Sequence, residues 1–243
     1  MEQKFVFIDK TVFFPEYGIL VIGDLHVGYE HSLRDSGVMI PESQTDDTIK
    51  NLQEIINEIK RQNWNIKKIV FLGDIKHYFG YEWKERVYFN KILDFLRKYV
   101  KDSGIVLIKG NHDKFDFSGK KMKNYFIKDG IAFFHGHMSY NQVSDEKIKI
   151  WVIGHLHPSI MLSDKQNIKR EKYKCFLVGE FNSREVIIVP SFLGIIEGTS
   201  VNEEGYENEK EFSIIPHDAI KSFNAYVVDE KGKVLDFGKV RKL

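Results

Sequence analysis

Short apolar bursts separated by polar or glycine-containing breaks dominate this chain, and only two stretches carry a helical rhythm. The bursts at residues 4–9, 19–24, 68–74, 105–109, 131–135, 149–154, 174–181 and 185–192 predict strands, because β-branched and aromatic residues crowd them and turn residues bound them. A further pair, 225–229 and 233–237, flanks Glu230-Lys231-Gly232 and predicts a hairpin. Over residues 43–62, Ile49, Leu52, Ile56 and Ile59 recur at helical spacing and Ile55 widens the stripe, which predicts an amphipathic helix. A second helix is predicted over 82–100, with Val87, Ile92, Leu96 and Tyr99 or Val100 facing inward. Residues 197–217 carry six glutamates and little apolar pattern, so they predict a surface loop or flap.

The first half therefore reads strand–helix–strand–helix–strand, and the second half is mostly strand. That order predicts an α/β fold with two sheets and helices outside them. With 243 residues and no repeat or low-complexity linker, a single domain over 1–243 is expected.

Composition narrows the class. A hydrophobic fraction of 42% and an aromatic fraction of 14% can fill a core, which excludes a largely disordered chain. No apolar run reaches the ~18 residues of a membrane span; the longest, 186–196, is broken by Pro190 and Ser191. The N-terminus has no cationic segment followed by a long apolar one, so no signal peptide is expected. The lone cysteine, Cys175, excludes an intrachain disulfide framework and a cysteine-rich zinc site. Together these features predict a cytoplasmic protein with no membrane partner. A net charge of +1 gives no global field for a polyanion.

The chemistry lies in five short motifs, each with a glycine and each after an apolar burst. They are Gly23-Asp24-Leu25-His26, Gly73-Asp74-Ile75-Lys76-His77, Gly110-Asn111-His112-Asp113, His135-Gly136-His137 and Gly154-His155-Leu156-His157. Any one of them could be an ordinary loop. Seven of the nine histidines fall inside the five, however, and random placement would scatter them. The carboxyl ends of strands are where α/β folds place ligand sites. Carboxylates, an amide and imidazoles converging there form a mixed nitrogen and oxygen donor set. Such a set suits Mn, Fe, Co or Zn and is too rich in imidazole for a Mg or Ca cage.

In this order the motifs resemble the calcineurin-like metallophosphoesterase superfamily, over residues 23–158. Gly23-Asp24-Leu25-His26-Val27-Gly28, followed by Leu33-Arg34, Gly37 and Pro41, resembles more narrowly the DNA-ligase-associated metallophosphoesterases and their archaeal relatives. Those are kin to the nuclease subunit of the double-strand-break repair complex, and His77 fits that kinship. The resemblance implies a two-sheet β-sandwich flanked by helices, the metallophosphoesterase fold. It implies two divalent ions, manganese first and Fe, Co, Ni or Zn as alternatives. Asp24, His26 and His157 would hold one ion, Asn111, His135 and His155 the other, and Asp74 would bridge them. Water ionised between the ions towards ~pH 7 would attack phosphorus. His112 would protonate the leaving oxygen or stabilise its charge, Asp113 would orient His112 and favour its charged form, and His77 would contact the phosphate or help position it. His137 is expected to be structural, His31 and His217 to be surface or capping residues, and Lys76 to be either a substrate contact or a solvated charge.

Two basic stretches flank the motifs: Lys114, Lys120, Lys121 and Lys123, then Lys165, Lys169, Arg170, Lys172 and Lys174. They are either solvated loops or a local phosphate-binding rim. The function expected is phosphodiester hydrolysis on nucleotides or nucleic acid, with a phosphomonoesterase and a non-catalytic scaffold as alternatives. A protein partner or homodimer is compatible with the sequence. About 85 residues follow position 158, and these are expected to be too few for the repair nuclease's DNA-binding cap plus completion of the core, so a standalone core with limited DNA affinity is expected.

Overall fold

A computed structural model describes residues 4–78, 83–113, 116, 119–164, 169–203 and 213–243. Its framework is two sheets packed face to face. The first holds β1 (Val6–Ile8), β2 (Thr11–Phe14), β3 (Ile19–Ile22), β4 (Lys68–Phe71) and β5 (Ile105–Leu107) in sequential order. β1 to β3 form an antiparallel meander, whereas β3, β4 and β5 run parallel. The crossovers carry α1 (Tyr29–Asp35) and α2 (Gln44–Arg61) between β3 and β4, and α3 (Trp83–Leu96) between β4 and β5.

The second sheet holds β6 (Tyr125–Lys128), β7 (Ile131–Phe134), β8 (Ile150–Ile153), β9 (Pro158–Ser163), β10 (Arg170–Phe181), β11 (Arg184–Ile188) and the short β12 (Thr199–Ser200). Its spatial order is β12-β9-β10-β11-β8-β7-β6, with β7, β8 and β11 parallel. After α4 (His217–Ile220), β13 (Asn224–Val228) pairs with β10, and β14 (Val234–Lys239) pairs with β13.

Strand alternation explains why the central strands read as continuous apolar runs. In β3, Ile19 and Val21 face the second sheet while Leu20 and Ile22 face the helices. In β7, Ile131 and Phe133 face the first sheet while Ala132 and Phe134 face the opposite layer. Both faces are buried, so no polar alternation is needed. Phe14 and Phe133 meet edge to face across the sandwich at 5.7 Å. Helix α2 buries Leu52, Ile55, Ile56 and Ile59 on the first sheet, with Asp46 and Asp47 in its first turn and Lys60 and Arg61 in its last, as the helix dipole favours.

The two-layer α/β architecture expected from the sequence is the one found, with several elements redrawn. Val87 is 40% exposed, and the buried face of α3 runs through Glu85, Phe89, Ile92, Leu93 and Leu96 instead. Tyr99 and Val100 lie beyond the helix. The expected start at Glu82 falls outside the described residues, as does the middle of the 197–217 segment. Strands β2, β6, β9 and β12 and helices α1 and α4 were not predicted. β9 opens on Pro158, which argues against a strand interior but is tolerated at a first position.

One side chain ties β10 to the loop after β11. Lys174 Nζ donates to the carbonyls of Ser191, at 2.8 Å, and of Leu193. Burial, and then the charge of Lys10, pull its pKa down to about 7, against opposing pulls from Asp9 and Asp24. An unfolded lysine keeps its proton up to ~10.4. Between those values the unfolded chain binds the extra proton, so unfolding free energy rises with pH across that window. Below about 7 both states are protonated and the contribution stops changing. Lys174→Met should flatten the rise in urea-unfolding free energy between about pH 7 and 10. An unchanged slope in the variant would show that Lys174 does not carry it.

Candidate metal centre

The parallel strands of both sheets end on one side of the sandwich, and the five motifs are the loops that leave them. Asp24 and His26 follow β3, Asp74 and His77 follow β4, and Asn111, His112 and Asp113 follow β5. His135 and His137 follow β7, and His155 and His157 follow β8. The backbone there is strained: His26, Asp74, His155 and His157 have positive φ of 44°, 44°, 71° and 43°. Left-handed backbone at a non-glycine residue costs ~1–3 kcal/mol and persists where surrounding contacts enforce it.

Two groups of donors result. Ligand atoms of Asp24, His26 and His157 lie within 4.8 Å of one another, as do those of Asp74, His135 and His155. Asn111 joins the second group, its Oδ1 lying 2.9 Å from His135 Nε2. A third cluster, His26, His77 and His112, adjoins the first through His26.

Both carboxylates are buried, Asp24 at 0% exposure and Asp74 at 2%. Burial alone would raise Asp24, but His157 and His135 outweigh it and hold the pKa near 2. Asp74 is likewise held far below the usual range, against its burial, by His135 and then His26 and His112. His135 moves the other way: against burial, the charges of Asp74 and Asp24 raise it to about 9. His26 is depressed to about 3 by burial and by His157, and His137 to about 4 by burial and by His135.

These residues fit a divalent cation on three counts. Two buried carboxylates call for positive charge. His26 Nε2 and His157 Nε2 sit 3.3 Å apart, two imidazole nitrogens converging on one region. His135 Nδ1 donates to the Leu72 carbonyl at 3.0 Å, which leaves Nε2 as its ligating nitrogen, the usual arrangement behind a metal-bound imidazole. A mixed nitrogen and oxygen set of this kind suits Mn, Fe, Co or Zn.

Glycine shapes the carboxylate seats. A Cβ on Gly110 would meet Asp74 Oδ1 at 2.0 Å, and one on Gly154 would meet Asp24 Oδ2 at 2.5 Å. Backbone donors complete the seats: His112 N–H reaches Asp74 Oδ1 at 2.9 Å, and His155 N–H reaches Asp24 Oδ2 at 3.1 Å.

Three expected roles are redrawn. The carboxylate of Asp113, fully buried, accepts backbone N–H groups from Gly110, at 3.0 Å, Ile75, at 3.3 Å, and Lys76, at 3.4 Å. It staples the β4 and β5 loops together, and His112 Nδ1 donates instead to the carbonyl of His77 at 2.7 Å. Burial, then the charge of Asp74, raises Asp113 to about 6. Lys76 is neither solvated nor turned to the centre: it is 3% exposed and its Nζ donates to the Tyr78 carbonyl. Much of the basic rim is paired off. Lys120 bonds Asp102, Arg170 bonds Glu203, Lys169 bonds Glu171, and Lys172 bonds the Gly198 carbonyl. Lys114 and Lys165 lie outside the described residues.

His137 packs its ring 5.1 Å from His135, and its buried Nδ1 has no hydrogen-bond partner among the described residues. His31 lies on α1 beside Asp35, and His217 opens α4. Sequence reasoning missed Gln44 and Glu85. Gln44 Nε2 donates to the carbonyls of Leu25, at 3.2 Å, and His26, at 3.0 Å, and its own N–H donates to Glu30 at 2.8 Å. Glu85 accepts backbone N–H groups from the His77 loop. A charged residue four positions before Phe89, on the apolar face of a helix, was the available signal for Glu85.

A sequence profile for calcineurin-like phosphoesterases matches residues 17–153. Among solved structures, nuclease MPE from Pseudomonas putida is similar at a TM-score of 0.61 and 20% identity, covering 96% of this chain and 94% of that one. Wild-type Vps29 complexed with zinc, from Entamoeba histolytica, is similar at 0.40 and 16% identity, covering 90% and 99%. The likeness to nuclease MPE is one of fold, and the second score is too low to add to it. No curated protein shows a significant match.

The glycine seats are open to test. Gly110→Ala and Gly154→Ala should each fold yet bind Mn about 10- to 100-fold more weakly, measured by equilibrium dialysis and elemental analysis. Gly194→Ala, where an added Cβ meets nothing within 4 Å, should bind as the parent does. Unchanged affinity in both of the first two variants would show that the carboxylates do not serve a cation.

Proposed function

The chain belongs to the calcineurin-like phosphoesterase family, whose profile spans more than half of it, and on that premise we propose that it hydrolyses phosphodiesters of nucleotides or nucleic acid with two divalent ions. Family membership makes it a metal-dependent phosphoesterase. The two ions, the diester preference and the residue roles are the reading that the geometry supports best.

The observation that carries it is the pair of donor groups flanked by imidazoles. Asp24, His26 and His157 would hold one ion; Asn111, His135 and His155 would hold the other; Asp74 would serve both. Manganese is the proposed metal, with Fe, Co, Ni and Zn the alternatives. Ions held there would supply Lewis acidity at the phosphoryl group and ionised water near neutral pH.

The chain's own residues do the rest. His112 donates from Nδ1 to the His77 carbonyl, so the protonated ring would pass its Nε2 proton to a leaving alkoxide and remain as the neutral Nδ1–H form. His77, stacked at 5.9 Å from His112, would contact the phosphate. A monoester is a dianion and is best met by extra fixed cations. Beside the donor groups stand the imidazoles of His77 and His112, while Lys76 turns to the Tyr78 carbonyl. That balance favours a singly charged diester over a monoester. The similarly folded Pseudomonas putida protein is a nuclease, and the same substrate class is the reading here.

Mn-loaded protein should carry close to two ions per chain, and Asp74→Asn should lose most of both. It should cleave bis-p-nitrophenyl phosphate faster than p-nitrophenyl phosphate; the reverse order would make it a phosphomonoesterase. His112→Ala should keep its metal and lose ~10²–10⁴-fold in turnover on a diester with an alkoxide leaving group. Near-normal turnover would assign the proton to another group.

A further inference from the structure

The Nδ1 edge of the His112 ring is anchored on one peptide unit. The carbonyl of His77 accepts the His112 Nδ1 proton at 2.7 Å. The same peptide contributes the N–H of Tyr78, which donates to Glu85 Oε1 at 2.8 Å. A trans peptide is planar, with its N–H and C=O pointing to opposite sides. Fixing the N–H on one side therefore fixes the carbonyl on the other.

Glu85 is built into this place. It sits in the first turn of α3 at 0% exposure. Oε1 also accepts the His77 N–H at 2.8 Å, a donor shared with the Val27 carbonyl at 3.1 Å. Bonds from N–H to a carboxylate are stronger than neutral ones. Space for the side chain comes from Gly28, where a Cβ would lie 2.6 Å from Glu85 Cγ. Lys76 Nζ holds the next carbonyl, that of Tyr78, so the loop is clamped on successive groups.

We propose that Glu85 is a positioning residue which, through the His77–Tyr78 peptide, keeps the His112 Nδ1–H on the His77 carbonyl, so that the protonated ring gives its Nε2 proton to the leaving oxygen and is left as the neutral Nδ1–H tautomer. The proposal rests on the reading of His112 as the acid. Without the acceptor the peptide can rotate, the His77 carbonyl leaves Nδ1, and the imidazole loses both its tautomer and its orientation. Displacement of a catalytic group by about 1 Å costs on the order of 100-fold.

The test compares Glu85→Met, close in shape but without the acceptor, with Glu85→Gln, whose amide oxygen retains it. Turnover of thymidylyl-thymidine, which has an alkoxide leaving group, should fall about 100-fold in Glu85→Met and stay near the parent value in Glu85→Gln. Cleavage of bis-p-nitrophenyl phosphate should fall far less, because p-nitrophenolate leaves without a proton. In a His112→Ala background, Glu85→Met should have no further effect on thymidylyl-thymidine. A loss that adds to that of His112→Ala, or is equal on both substrates, overturns the proposal. If His112→Ala itself retains normal turnover, the reading of His112 fails and carries this proposal with it. A measurement that needs no Glu85 variant is the ¹H–¹⁵N spectrum of zinc-loaded parent protein, with the His112 signal assigned from His112→Ala. Whenever the ring is neutral its proton is expected on Nδ1, and a neutral ring with the proton on Nε2 overturns the proposal.

Discussion

Two carboxylates, Asp24 and Asp74, are sealed from water where the parallel strands of both sheets run out, and the surrounding loops are organised by the need to neutralise them. An uncompensated buried charge costs several kcal/mol. His135 stands between them, Nδ1 3.4 Å from Asp24 Oδ1 and Nε2 3.4 Å from Asp74 Oδ2. Backbone N–H groups approach each carboxylate because glycine stands at Gly110 and Gly154. Asp74 itself and three neighbouring histidines, His26, His155 and His157, accept left-handed backbone to bring their side chains into the same space. Such strain is stable only on a rigid base, and the sandwich interior, with Phe14 against Phe133, supplies it.

The order of the motifs exposed the donors because each is a short signal placed after an apolar burst. Parallel strands buried on both faces leave an unbroken apolar mark, as in β3, β4 and β8. Strands β2 and β9 were harder to see: Pro15 follows directly on the first, and the second begins at Pro158. Long-range pairing decides whether such segments become strands. For helix α3, Val87 read as an inward residue by spacing, but Glu85 and Phe89 set the true phase.

Roles of charged residues were less legible than positions. Asp113 beside His112 in sequence suggests a carboxylate–imidazole pair, yet Asp113 turns to the backbone of two loops and His112 to a carbonyl. A run of lysines suggests a cationic rim, yet a lysine has a long reach and Lys120 reaches Asp102. Sequence adjacency does not encode which partner a flexible side chain selects. The supporting residues Gln44 and Glu85 lie on helices whose apolar phase gives their burial but not what they touch.

The loop that carries Asp24 is closed from far along the chain. The Asp24 carbonyl accepts the Phe192 N–H at 2.9 Å and the Ser191 hydroxyl at 3.1 Å, and its carboxylate accepts the His155 N–H. Contacts of such sequence separation form late in folding, because a long loop must close before they contribute. During synthesis, then, a ribosome that has released the first sheet has not yet released the residues that cap Asp24. The Asp24 loop acquires these contacts only after Phe192 has emerged, so this part of the centre is completed well after the first sheet.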